Sequence, residues 1–235
     1  MTKARLVGDN YDEYLSVEWE MFAQDPARAQ AALDAVARME VNRVLDIGCG
    51  AGQELRPFVA AGAFGVGTDV APEVGILGRK LFAREDLPGK VTFVRSAAEH
   101  LPFASGSFEV LVCRLALPYT DNRRALGEMA RVLRPGGLLF LKIHHAWFYA
   151  HKFWSGLLTG RLLYMVHSLR VLVGGTLYHL TGNQVRNRLV TNETFQSGWM
   201  LKNELARHSL SIVHKMPDSN PLTPSFVIRK AASSA

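Results

Sequence analysis

The sequence predicts a single α/β domain: a mostly parallel sheet of seven strands, flanked by helices and ending in an antiparallel last strand. Three observations predict it. Short apolar runs alternate with stretches of helical periodicity, the order that builds parallel sheets through crossover helices. The first run, Val44-Leu45-Asp46-Ile47, enters a glycine turn, Gly48-Cys49-Gly50-Ala51-Gly52. The next strand-like run ends in an acid, Asp69, 17 residues beyond Gly52.

At 235 residues the chain is long enough for one ample core and too short to force two. Hydrophobic residues make up 48% and charged residues 20%, the ordinary composition of a soluble globular protein. The N-terminus lacks the pattern of a signal peptide. The two cysteines, Cys49 and Cys113, have no metal-ligand spacing. The expectation is a reducing, cytoplasmic setting and no bound metal. The net charge of +6 is unevenly placed: residues 1–150 hold 17 Lys+Arg and 18 Asp+Glu, residues 151–235 hold 10 and 3. No acidic residue occurs between Glu128 and Glu193, so the basic character belongs to one region.

Taken in order, residues 1–42 read as helical. Tyr11 and Tyr14 lie at helical spacing and serve either packing or a lid. Asp25-Pro26 reads as a cap with proline at the first helical position, and 27–39 carries Ala32, Leu33, Val36 and Met39 on one face. The strand Val44-Leu45-Asp46-Ile47 then meets glycines that let a ligand approach the main chain. The turn is expected to deliver its amides to a helix over 53–61, ended by Gly62. The glycine spacing is one residue short of a dinucleotide fingerprint. Strands follow over 64–70, 91–95 and 108–113, with a helix over 72–84 between the first two. Asp121 caps a helix to about Leu133, Arg134-Pro135-Gly136-Gly137 ends it, and 138–143 is the fifth strand.

Four segments carry a resemblance in the order in which they occur. They are Val44 to Gly52; Asp69; Ser96-Ala97-Ala98-Glu99-His100-Leu101-Pro102-Phe103 with Ser107-Phe108-Glu109-Val110-Leu111-Val112; and Glu128-Met129-Ala130-Arg131-Val132-Leu133-Arg134-Pro135-Gly136-Gly137-Leu138-Leu139-Phe140-Leu141. Together they resemble the class I S-adenosylmethionine-dependent methyltransferases, in the branch that includes quinone and small-molecule methyltransferases. The match covers roughly residues 40–145. It implies the Rossmann-like methyltransferase sheet, S-adenosylmethionine as cofactor and S-adenosylhomocysteine as product. It further implies that Asp46, Gly48, Cys49, Gly50 and Gly52 hold the amino-acid part of the cofactor and Asp69 the ribose, as a carboxylate's two oxygens match a vicinal diol. Val70 would pack on adenine and Ala98 would meet its edge, with Ala97, Glu99, Arg114 and Leu115 nearby. Ala97 departs from the family, which usually has an Asp there that accepts from the adenine amine. A lost hydrogen bond costs about 0.5–1.5 kcal/mol, which weakens binding without excluding it; Glu99 offers compensation.

The resemblance divides the chain into an N-terminal helical lid (1–42), a cofactor-binding core (43–145), a helical insertion or cap (146–191) and a last helix with a strand pair (192–235). The fifth strand ends in His144 and His145, at the ligand edge of the sheet. Either imidazole suits a general base for a hydroxyl acceptor; both also have structural readings. His100 and Tyr119 are weaker candidates, and Tyr11, Tyr14, Tyr119 and Trp147 are expected near the acceptor or in the lid. In 146–191 aromatic and leucine residues crowd together, interrupted by Arg161, His167 and Arg170, and Gly174-Gly175 is expected to break the run into two helices. The stretch reads as a cap over an apolar pocket, as a surface for peripheral membrane contact, or as a homodimer contact. Arg186 and Arg188 read as solvated, with contact to an anionic substrate group as the alternative. No nucleic-acid motif accompanies the basic charge. Thr191-Asn192-Glu193-Thr194 is expected to cap a helix to about His208, with strands over 210–215 and 225–229.

The functional expectation is methyl transfer to a small, apolar or aromatic acceptor, oxygen favoured over nitrogen or carbon. The alternatives are a cofactor-binding partner or regulatory protein without catalysis, and a membrane-surface quinone or lipid methyltransferase.

Overall fold

The computed structural model describes residues 11–87, 90–184, 193–217 and 220–232. Helices α1 (Tyr11–Ala23) and α2 (Pro26–Val36) lead into β1 (Arg43–Ile47). A 3-10 turn, Gln53–Leu55, and a short α3 (Arg56–Ala60) follow, then β2 (Phe64–Asp69), α4 (Ile76–Arg84), β3 (Val91–Arg95) and β4 (Phe108–Arg114). A second 3-10 turn, Leu117–Tyr119, precedes α5 (Asn122–Val132), β5 (Leu133–Lys142), α6 (Ala146–Leu158) and α7 (Leu162–Thr181). The chain closes with α8 (Gly198–Ala206), β6 (Leu210–Lys215) and β7 (Ser225–Lys230).

The strands form one seven-stranded sheet in the order β3-β2-β1-β4-β5-β7-β6. β1 to β5 pair in parallel, and β7 runs antiparallel to both β5 and β6. The predicted fold class is therefore borne out, including the antiparallel last strand and the helical insertion after the fifth strand. The strand order reverses at the β1–β4 neighbours. Open α/β sheets bind ligands beyond the carboxyl ends of the strands at such a reversal.

Alternation along the strands builds two cores. Leu45, Ile47, Leu111, Leu139 and Leu141 pack with Leu126 and Met129 of α5 and Leu201 and Leu205 of α8. The intervening Val44, Val110, Val112 and Phe140 pack with Leu15 and Trp19 of α1, Phe58 of α3 and Phe82 of α4. A fully buried side chain of this size contributes about 1.5–3 kcal/mol. Asp46 belongs by position to the second face, and so it is buried.

Several local expectations are corrected. The helix expected over 53–61 is a 3-10 turn followed by five α-helical residues. The one expected over 72–84 begins at Ile76, after Gly75 in the left-handed region. β5 starts at Leu133 rather than at 138, because Leu133 already pairs with Phe108 ahead of the irregularity at Phe108/Val110. Gly174-Gly175 does not break the insertion. α7 runs through both glycines, and the break falls at Gly160, whose φ is +66°. The reason is packing: a Cβ on Gly175 would lie 2.4 Å from the Phe195 ring, so the glycine admits an aromatic neighbour. The cap expected at 191–194 is also displaced. Arg186, Arg188, Thr191 and Asn192 lie outside the described residues, Glu193 and Thr194 are buried in a segment without regular secondary structure, and Ser197 caps α8 by accepting from the Met200 N–H at 3.2 Å.

Candidate active site

The glycine turn leaves β1 with Gly48, Gly50 and Gly52 all in the left-handed region, at φ +71°, +54° and +84°. Clearance adds to the backbone requirement at the first two. A Cβ on Gly48 would fall 2.4 Å from the Ala116 Cβ, and one on Gly50 would fall 2.8 Å from Leu15 Cδ2. The expectation that the turn offers its amides is corrected for four of them. Gly48 and Cys49 N–H both donate to the Thr68 carbonyl, Gly52 N–H donates to the Cys49 carbonyl, and Gly50 N–H donates to Asp69 Oδ2 at 3.1 Å. The turn thus provides close approach rather than a ring of open donors.

Asp69 also accepts the Ala71 N–H on Oδ1 at 3.1 Å. Each carboxylate oxygen keeps a second lone pair. Beside it, a small cleft is lined by Leu15, Gly50, Asp69, Ala71, Val74 and Gly78. Val70 presents an exposed apolar face at the same strand end. α1 lies over the turn through Leu15, and Tyr14 of the same helix is half-buried, its hydroxyl pushed up to about 12 by burial and by Glu18. The Tyr11 side chain lies outside what the structure describes.

Asp46 is almost fully buried, and its Oδ2 has no hydrogen-bond partner among the described residues. Burial, then the Asp69 carboxylate, pushes its pKa from 3.8 up to about 7, against the pull of Arg114 and Arg28. A raised acid pKa means that the folded chain holds this proton more tightly than the unfolded chain does. The resulting stability is fully present below pH 3.8 and is lost as pH rises through about 7. Asp46→Asn cannot ionise and therefore flattens this dependence. Urea denaturation should find the variant more stable than the parent at pH 8 by on the order of 1–3 kcal/mol, with little difference at pH 4. An equal deficit at both pH values would contradict the assignment.

Arg114, expected against the cofactor, directs its Nε to Glu54 at 2.8 Å, and Arg28 of α2 pairs with the same carboxylate. These pairs brace α2, the first 3-10 turn and the end of β4. Leu115 holds φ +60° beyond that strand, and its N–H donates to the Lys142 carbonyl. Ala98 is buried and Ala97 half-buried. Glu99 accepts the Asp121 N–H at 2.7 Å on Oε1, which engages the carboxylate that was expected to compensate for Ala97. His100 is exposed. Burial pushes both cysteine thiols up, that of Cys113 to about 12.

At the end of β5 the structure assembles a network that sequence reasoning did not contain. His144 is buried, stacked on Phe148 at 4.2 Å and 2°, with the Tyr119 ring edge-on at 6.4 Å. Its Nδ1 lies 2.8 Å from the Tyr149 hydroxyl, which donates to Glu193 Oε1 at 2.5 Å. Glu193 Oε2 lies 2.9 Å from His167 Nε2 of α7. Burial pushes the Glu193 carboxyl up, but the neighbouring His144, His167 and Tyr149 outweigh it and hold the group well below its usual range. Glu193 is therefore ionised and can only accept. Tyr149 spends its one proton on Glu193, so His144 must donate Nδ1–H to the tyrosine oxygen. With Nδ1 donating to Tyr149, any lone pair of that imidazole lies on Nε2. Burial, then Glu193, raises the hydroxyls of Tyr149 and Tyr119 far above their ordinary value, so both stay protonated.

Main-chain bonds set Glu193 in place: Thr194 N–H donates to the Pro118 carbonyl and Gln196 N–H to that of His144. His145 has a different position. It caps α6, with Nδ1 3.4 Å from the Trp147 N–H, while the Trp147 side chain is exposed. The two groups of predicted residues adjoin through Ala116, against Gly48, and through Tyr14, which is close enough to Tyr119 to add to the rise of its hydroxyl. Glu193, Tyr149 and His167 were missed. One signal pointed to Glu193: it ends the acid-free stretch that begins after Glu128, and a lone acid among cations and histidines calls for an internal partner.

A family model described as a methyltransferase domain matches residues 45–141. An uncharacterized methyltransferase of Bacillus subtilis, YcgJ, is 38% identical over 106 residues, 45% of this chain and 42% of that protein. The O-methyltransferase rstn1 of Aspergillus nomiae is 31% identical over 154 residues, 57% of this chain and 68% of that protein. The chain spans about half the length of the first curated relatives it matches. In structure, the YcgJ crystal structure superposes with a TM-score of 0.57 at 18% identity, over 87% of this chain and 99% of that one. That likeness bears on the fold.

Proposed function

This chain belongs to the S-adenosylmethionine-dependent methyltransferase family, and from that membership we propose that it methylates an oxygen of a small, apolar or aromatic acceptor. The observation that carries the choice of oxygen is the network that leaves His144 with a basic Nε2. A hydroxyl acceptor must lose its proton as it attacks, and a positioned base serves that need; a free amine attacks without one.

The residues present fit the cofactor. Asp69 would take the ribose hydroxyls while tied to Gly50, and Val70 would offer adenine an apolar face. The buried Oδ2 of Asp46, which has no hydrogen-bond partner among the described residues, would take the cofactor's ammonium group, and Gly48, Gly50 and Gly52 would admit its amino-acid part. When bound, S-adenosylmethionine supplies a methyl group on a sulfonium, open to in-line displacement that leaves S-adenosylhomocysteine. Near-attack geometry is the main demand of such a step. His144 accepts the acceptor's proton at Nε2, and the resulting imidazolium faces the Tyr149 oxygen and the Glu193 carboxylate. Tyr149 and Glu193 are positioning residues, acting through His144. Tyr14, Tyr119 and Phe148 border the acceptor, with residues 1–42 as lid and 146–191 as cap.

Incubation with methyl-labelled S-adenosylmethionine and a panel of phenols, hydroxy acids and amines tests this reading. The expected product is a labelled methyl ether or ester. Label on amines alone, or on no acceptor, would count against it.

A further inference from the structure

The α6–α7 hairpin carries apolar residues on two opposite faces. The inner face of α7 buries Ser168, Val171, Gly174, Gly175 and Tyr178 against the body of the domain. A second row, Leu162, Val166, Leu169, Val173, Leu177 and Leu180, recurs at helical spacing and faces solvent. The inner packing accounts for only one of the two rows. At the turn between the helices Leu158 is 86% exposed and Leu163 81% exposed, with Trp154 of α6 exposed beside them in the sequence. So large an apolar face marks an interaction site.

The charges name its partner. No acidic residue lies anywhere between Glu128 and Glu193, while the hairpin carries Lys152, Arg161 and Arg170. Lys152 Nζ stands 5.4 Å over the Tyr164 ring, and the Arg161 guanidinium stands 5.4 Å over the same ring. Lys152 and Arg161 thus gather near the leucine-rich turn, their cationic ends over an aromatic ring, an arrangement suited to an interface between hydrocarbon and charged headgroups. No helix among the described residues is long and apolar enough to cross a membrane. A second copy docked on the same face would bring cations against cations with no acid on the hairpin to answer them.

We infer that the α6–α7 hairpin docks on the surface of an anionic phospholipid bilayer, its outer leucine and tryptophan side chains entering the headgroup boundary. The inference does not depend on the methyl-transfer reading. The same hairpin carries Tyr149 and His167, so docking places the His144 network close to the bilayer surface.

Vesicle flotation tests the inference with the full chain. The chain should float with vesicles containing phosphatidylglycerol. With phosphatidylcholine alone, or at raised salt, it should bind on the order of a hundredfold more weakly. The double variant Leu158→Asp, Leu163→Asp should lose flotation and keep the parent's melting temperature, since both side chains are exposed. Two results would overturn the inference. One is a folded parent that stays in the aqueous fraction with anionic vesicles. The other is a double variant that floats as the parent does. Sedimentation velocity supplies a further check: a stable dimer that the double variant dissolves, without vesicle binding by the parent, would assign the face to a second copy instead.

Discussion

Replacing His144 by asparagine should lower kcat for an oxygen acceptor by about 10²- to 10⁴-fold, the usual contribution of a positioned general base. Cofactor affinity should change little, because His144 lies with Tyr119, Phe148 and Tyr149 rather than with Asp69 and the glycine turn. Asparagine keeps a donor for the Tyr149 oxygen while removing the basic nitrogen, so the comparison isolates the base. Tyr149→Phe should give a smaller loss. It removes the partner that fixes the tautomer and leaves the imidazole in place. Single-turnover kinetics with saturating cofactor separates binding from chemistry. Full activity in His144→Asn would remove His144 from the mechanism, and the oxygen preference would lose its main support.

The second large effect is on stability. Gly48→Ala should cost about 2–5 kcal/mol, combining the left-handed backbone penalty with overpacking against Ala116. For a chain of this size that lowers the melting temperature by on the order of 10 °C. Two other glycines divide the cause. Gly62 also lies in the left-handed region, at φ +105°, yet a Cβ there would meet nothing within 4 Å; Gly198 has neither constraint. Gly62→Ala should therefore cost only about 1–2 kcal/mol. Gly198→Ala should be neutral or slightly stabilising, since it begins α8 and alanine is the better helix former. Equal losses at Gly48 and Gly62 would show that the Ala116 contact contributes nothing.

The strands were legible because their signals are local. Val44-Leu45-Asp46-Ile47, Val91 to Arg95 and Leu210 to Lys215 carry β-rich runs bounded by turn residues, and each stands within one residue of its expected place. The helix errors have a common cause. Gly174-Gly175 reads as a breaker in isolation, but the Phe195 ring occupies the space that a side chain would fill. Glu193 and Thr194 read as a cap, but the His144 network and the Pro118 carbonyl claim them. The cofactor half of the candidate site was legible in the same way, since Asp46, the glycines and Asp69 end two strands that pair side by side. The other half was not. His144, Tyr149, His167 and Glu193 come from four separate segments, and only the packing of α6 and α7 against the end of β5 brings their side chains together. Length-wise spacing carries no trace of the hydrogen bonds that decide which nitrogen of His144 bears the proton.

Calorimetric titration with S-adenosylmethionine and with S-adenosylhomocysteine, on the parent chain and on Asp69→Ala, tests the central claim most directly. The account predicts binding at roughly micromolar strength for the parent. It predicts a loss of about tenfold or more in the variant, since charge-assisted hydrogen bonds of the kind Asp69 would make contribute about 1.5–3 kcal/mol each. A folded parent that binds neither molecule, or an Asp69→Ala variant that binds both as tightly as the parent, would contradict it.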